Sequence, residues 1–262
     1  MEQDPQALLQ QLHLAYQMAI ELGQFKAGFL ARVSHELRSP LNSLIGVHQL
    51  ILNDLCDSPE EERAFIRQAH ESSLKLMQII DQILDVAKVQ SGTEQLALKP
   101  TSLSDALDEV YCLTYLQAQN RNLQLHIEPL EPDLSVLADP KRLQQVLTSL
   151  VDTPLTLMQE GTVRVTAGPA SETGMAHVWI EDERPASFWA EDLDLLQMTP
   201  KPDLLPSNTL SPGMRLMLDK MVLDSMGGQL EILSSPSQAS AEVPTPLTRI
   251  QCSIPLVRLD AA

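Results

Sequence analysis

From about Pro5 to Leu55 the sequence carries only Gly23, Gly28, Pro40 and Gly46 as interruptions to helix, and Leu37, Leu41, Leu44, Ile51 and Leu55 recur at spacings of three, four and seven. That period puts the apolar side chains on one stripe of a long helix. Asp57-Ser58-Pro59-Glu60 then reads as a turn, with Ser58 as N-cap and Pro59 at the first helical position of a second helix from about Glu60 to Gln90. The second helix carries Ile66, Ala69, Leu76, Ile80, Ile83 and Ala87 on one face and stops at Ser91-Gly92. Two antiparallel helices cannot bury both stripes alone. The pattern therefore predicts an all-α helical hairpin forming a dimeric four-helix bundle, with a coiled-coil stalk as the alternative that periodicity allows.

On the first helix stands Phe29-Leu30-Ala31-Arg32-Val33-Ser34-His35-Glu36-Leu37-Arg38-Ser39-Pro40-Leu41-Asn42. An imidazole beside an acid, a base and a proline has the parts needed for phosphoryl chemistry. A free imidazole titrates near neutrality, so an unprotonated ring nitrogen is available to attack phosphorus. Arg38 offers a planar fork to phosphate oxygens, and Pro40 removes a helical hydrogen bond beside His35. The run resembles the H-box of sensor histidine kinases, the proteins of two-component systems. The resemblance implies that residues 25–92 are the dimerisation and histidine phosphotransfer domain, preceded by a helical lead-in at 1–24. It implies His35 as the residue phosphorylated, Glu36 as its acid/base partner, and Ser39 at the position where the family usually has Thr or Asn for dephosphorylating its partner.

From Thr93 the texture changes to alternating short strands and helices. Helices are expected at Leu103–Gln117, from Asp139-Pro140 through Val151, and at Met214–Ser225. Strands are expected at Leu123–Ile127, Thr162–Ala167, His177–Glu181, Gln229–Leu233 and Arg249–Pro255. One sheet covered on one face by three helices is an α+β sandwich. In this order, after an H-box, residues 93–257 resemble the ATP-binding domain of histidine kinases, with a tail at 258–262. Glu191 to Pro212 and Ser234 to Pro246 are rich in Pro, Ser and Thr and read as loops.

Set against that family, the nucleotide positions are altered. The helix Asp139 to Pro154 places Thr153 where a metal-binding asparagine is expected, with Asp152 beside it as a substitute, and Thr156 where a lysine is expected. Pro154 follows directly and would break or kink a continuing helix. The first glycine box reads Asp182-Glu183-Arg184-Pro185-Ala186, keeping the acid that reads adenine in the family and losing both glycines. The second reads Ser211-Pro212-Gly213-Met214-Arg215-Leu216, where only Gly213 remains. Side chains there obstruct the close backbone approach that phosphate needs, while Arg184 and Arg215 offer charge that a phosphate would accept. ATP with Mg²⁺ is the cofactor the resemblance implies, and these replacements predict impaired binding of it.

The balance of 18 Lys+Arg against 35 Asp+Glu gives a net charge of −17, which disfavours nucleic acid and anionic membranes as partners. Cys56, Cys112 and Cys252 have no metal-ligand spacing and fit reduced thiols of a cytoplasmic protein. No apolar run reaches membrane-spanning length, so a soluble family member or a fragment is expected. Three readings stand at this point. One is a phosphotransfer protein taking phosphate from another histidine kinase or a phosphorylated regulator and giving it to a response-regulator receiver domain. The second is an active kinase with an atypical nucleotide site, and the third a non-catalytic adaptor.

Overall fold

The computed structural model describes residues 5–170, 174–184, 210–234 and 248–257. The chain divides into two compact units, Met1–Ile80 and Asp81–Ala262.

The first unit is built on α1 (Pro5–Leu52) and most of α2 (Pro59–Gln90). Helix α1 runs through Pro40, which is buried. The start of α2 is fixed as its sequence suggests: Ser58 Oγ accepts from the Glu61 N–H at 3.2 Å, and Glu61 Oε2 accepts from the Asp57 N–H at 2.6 Å. Within the unit Val47, Ala69 and Ile79 are buried, and Ser72 Oγ donates to Ser43 Oγ at 3.2 Å across the hairpin. Leu30, Leu41, Ile45 and Leu52 on α1, with Ile66, Leu74, Met77 and Ile80 on α2, stay exposed in the single chain.

In the second unit the elements run β1 (Lys99–Ser102), α3 (Leu103–Asn120), β2 (Gln124–Ile127), β3 (Ser135–Ala138), α4 (Pro140–Leu157), β4 (Thr162–Ala170), β5 (Met175–Asp182), α5 (Pro212–Ser225), β6 (Gln229–Ser234) and β7 (Thr248–Pro255). The main sheet has the order β2-β4-β5-β7-β6, with β2 and β4 parallel and the other pairs antiparallel. Strands alternate in burial, so Val163, Val165, Ala176, Val178, Ile180, Leu230, Ile250, Cys252 and Ile254 form one inner face. That face meets the buried stripes of the helices, led by Leu107 and Val110 of α3, Leu143, Leu147 and Leu150 of α4, and Met214 and Val222 of α5. Each such side chain, fully buried, contributes about 1.5–3 kcal/mol.

The α+β layer arrangement is as expected, but the single-sheet expectation is corrected: β1 and β3 form a separate two-stranded antiparallel sheet, tied to the C-terminal strand region by a bridge between Val136 and Leu256. Helix α5 starts at Pro212 rather than Met214, because Ser211 caps it by accepting from the Met214 N–H at 3.3 Å. At its far end Gly227 takes φ +75°, and a Cβ on Gly228 would sit 2.7 Å from the Ser253 carbonyl oxygen. The glycine pair is demanded by the turn from α5 into β6.

Candidate functional site

His35 lies in the middle of α1 and is exposed, as are Arg38 and Ser39, whereas Glu36 is half-buried. Helical geometry places Arg38 and Ser39, three and four residues on, beside His35 on the same face. Directly before it, the Ser34 hydroxyl donates to the Leu30 carbonyl one turn back at 2.8 Å, internal to the helix. The imidazole is thus solvent-accessible, with a guanidinium and a hydroxyl on the same exposed face.

The residues at the nucleotide-box positions are engaged with each other. Asp182 ends β5 and is 1% exposed, and Arg184 is 6% exposed. The Arg184 backbone N–H and Nε both donate to Asp182 Oδ1, at 2.9 and 2.8 Å, and Nη2 donates to Oδ2 at 2.9 Å. The Thr248 hydroxyl donates to the Arg184 carbonyl and closes the corner. Pro185 and Ala186, the rest of that box, lie outside the described residues, as do most of the two Pro/Ser-rich stretches and the 258–262 tail.

Helix α4 continues through Pro154 to Leu157, with the Met158 N–H donating to the Pro154 carbonyl at 2.9 Å. The expected break is therefore absent. Packing explains this, because Leu150, Val151, Pro154 and Leu155 all lie in the core and hold the helix against its lost hydrogen bond. Thr153 is 3% exposed and its hydroxyl donates to the Ser149 carbonyl at 2.8 Å. Asp152 Oδ2 accepts from Arg215 Nη1 of α5 at 2.7 Å, and Thr156 lies against its other oxygen at 3.5 Å. Gly213 is buried in the first turn of α5. Arg184 and Arg215, read from sequence as charge for a phosphate, are thus each paired with an acid of this chain. Among the described residues no three His, Cys, Asp or Glu side chains converge as a metal site.

Sequence pattern alone did not single out Asp219 or Ser149. Asp219 is a buried carboxyl on α5, and Ser149 Oγ of α4 donates to its Oδ2 at 2.7 Å. Burial pushes the Asp219 carboxyl up to about 8, against the opposing pull of the Ser149 hydrogen bond and the Arg215 charge. Its one visible signal is an acid that closes the apolar run Leu216-Met217-Leu218, directly before Lys220.

Residues 25–92 match the family model described as the His Kinase A (phospho-acceptor) domain. The chain is 28% identical over 239 residues to the sensor protein GacS of Pseudomonas syringae pv. syringae, covering 88% of this chain and 26% of that one. It is 31% identical over 239 residues to the virulence sensor protein BvgS of Bordetella bronchiseptica (87% and 19% covered). To the signal transduction histidine-protein kinase BarA of Escherichia coli K12 it is 29% identical over 236 residues (88% and 25% covered). The chain belongs to the sensor histidine kinase family. It spans about a quarter or less of the length of these relatives.

Solved histidine kinases share the two-part fold. The histidine kinase ThkA in complex with response regulator protein TrrA superposes with a TM-score of 0.60 at 23% identity, covering 90% of this chain and 64% of that one. The Acinetobacter baumannii histidine kinase AdeS gives 0.57 at 16% identity, with 86% and 98% covered. No helix among the described residues is long and apolar enough to cross a membrane.

Proposed function

We propose that this histidine-kinase-family chain is a phosphotransfer protein of two-component signalling. His35 takes a phosphoryl group from a phosphorylated regulator or another histidine kinase and passes it to a receiver-domain aspartate. The observation that carries this reading is the pairing of two acids at the nucleotide positions, Asp182 of the first box with Arg184 and Asp152 beside the metal position with Arg215. An acid already bound bidentately by an internal guanidinium must lose that partner before it reads a base. A threonine whose hydroxyl donates into its own helix is a poor metal ligand. The residues present therefore do not suit Mg²⁺–ATP, and no step is routed through nucleotide. The ATPase-like unit serves as a scaffold, which makes the chain a pseudokinase within a phosphorelay.

The transfer itself needs little more than position. The unprotonated ring nitrogen of His35 attacks the phosphorus of an aspartyl phosphate. The N–P bond forms as the acyl-phosphate P–O bond breaks, and the aspartate leaves as carboxylate. Onward transfer runs the same step in reverse. Glu36 holds the proton on the second ring nitrogen, and Arg38 balances charge on the phosphoryl oxygens. Ser39 sits where a hydroxyl orients water for dephosphorylation. The exposed stripes of α1 and α2 support a homodimer that closes a four-helix bundle. We place the protein in the cytoplasm, with a response-regulator receiver domain as partner, in keeping with ThkA having been solved with its response regulator.

The test offers purified protein either γ-labelled ATP with Mg²⁺ or a labelled phospho-receiver domain, with His35→Gln as control. Acid-labile label on wild type from the receiver alone supports the proposal. Label from ATP restores the kinase reading, and label from neither source, nor from a labelled phosphorylated histidine kinase offered as a third donor, leaves the adaptor reading.

A further inference from the structure

Asp219 is a buried acid that phosphotransfer at His35 does not use, and it stands in a cluster drawn from three elements. Two polar contacts join α4 to α5 in antiparallel register: Ser149 Oγ to Asp219 Oδ2 at 2.7 Å and, one turn along each helix, Arg215 Nη1 to Asp152 Oδ2 at 2.7 Å. Arg215 and Asp219 are four residues apart, so they share a face of α5 within side-chain reach. The third element is β7, which places the buried Cys252 near enough to feel the Asp219 charge.

Arg215 therefore has two acids available, one across the helix interface and one on its own helix. We propose that a proton on Asp219 decides which of them holds Arg215. With Asp219 neutral, Arg215 bridges to Asp152 and clasps α5 to α4. With Asp219 ionised, the buried charge recruits the guanidinium along α5 and the clasp to Asp152 opens. The device is a two-position switch operated by one proton, and it goes beyond the phosphotransfer reading without depending on it.

The other ionisable groups nearby do not reproduce this behaviour. Burial and the Asp219 charge push the Cys252 thiol far up, so it stays protonated over the working range. On α5 Lys220 and Asp224 are exposed. On α4 the Arg142 guanidinium is held by Glu94 at 2.8 Å, and Lys141 is exposed at the first turn. On β6 Glu231 is exposed, and on β7 Arg249 pairs with Glu181. The Asp219 carboxyl is the group raised to about 8, where a shift of tenths of a pH unit alters its occupancy.

The experiment is NMR of the full chain labelled at aspartate carboxyl carbons and arginine side-chain nitrogens, titrated from about pH 5 to 10. Asp219→Asn, which is neutral and nearly isosteric, assigns the resonance. The proposal expects an Asp219 midpoint well above the ordinary carboxylate range near 4, and the Arg215 Nε resonance moving with the same midpoint. In Asp152→Asn, Arg215 has only Asp219 to pair with, so Asp219 should hold its proton at least tenfold more weakly. An Asp219 signal titrating with the surface carboxylates overturns the proposal. So does an Arg215 signal indifferent to that midpoint, or an Asp219 midpoint unchanged by Asp152→Asn.

Discussion

The guanidinium of Arg184 lies edge-on to the carboxylate of Asp182, donating Nε to Oδ1 at 2.8 Å and Nη2 to Oδ2 at 2.9 Å, with both side chains buried. A two-point pair out of water is worth little against an apolar replacement, but breaking one half strands a charge. Arg184→Ala should therefore destabilise the second unit by about 3–5 kcal/mol in urea denaturation. Asp182→Ala/Arg184→Ala should cost much less than the two single changes added together, because no ion is left unpaired. Strict additivity would mean that the pair is not a coupled unit.

Pro154 tests how much strain α4 tolerates. The residue is buried three positions before the helix ends, and its ring leaves the Leu150 carbonyl without the usual helical N–H. Pro154→Ala restores that donor and loses part of the buried ring. The helix gain of up to about 3 kcal/mol exceeds the packing loss, so a net rise of about 1–2 kcal/mol is expected. The midpoint of thermal unfolding checks it, and an unchanged or lower midpoint would show that the ring packing dominates.

The elements legible in the sequence are those with a long period or a local cap. The stripes of α1 and α2 span many turns, Ser58 and Asp139 cap their helices as read, and the strands of the main sheet alternate in burial. What stayed hidden depends on partners far along the chain. Four-residue β1 and β3 exist because Lys99 to Ser102 pairs with Ser135 to Ala138, which no local pattern announces. The site divides the same way. The surroundings of His35 could be read from the sequence because its neighbours along the chain are its neighbours on the helix. Arg215 was visible as a replaced glycine, but its bond to Asp152, 63 residues away, needed the antiparallel packing of α4 and α5.

Gly228 sits where the packing leaves no room for a side chain. A Cβ there would lie 2.7 Å from the Ser253 carbonyl oxygen and 2.8 Å from Leu223 Cγ, both closer than real contacts. The carbonyl belongs to the β6–β7 ladder and cannot retreat without breaking it. Gly228→Ala should destabilise by about 1–3 kcal/mol, with urea denaturation as the measure. A neutral result would show that β6 and β7 slide to make room.

The raised Asp219 carboxyl makes a definite claim about pH. Unfolded, the group releases its proton at the ordinary value of 3.8; folded, it holds it to about 8. Between those limits the folded chain binds one proton more than the unfolded chain, so stability falls as pH rises through the window. Above the folded value both states are ionised and this contribution is flat. One proton gives a slope of at most about 1.4 kcal/mol per pH unit. Asp224 lies at the surface, yet the desolvation it does suffer raises its carboxyl against the pull of Lys220, which adds a smaller, solvent-screened slope of the same sign. Asp219→Asn removes the larger part, so its unfolding free energy should exceed that of wild type by about 2–4 kcal/mol at neutral pH, and the two should converge toward about pH 4. Urea denaturation of both proteins at several pH values from about 5 to 9 measures the difference. Parallel curves would mean that Asp219 ionises in the folded chain as it does in the unfolded one.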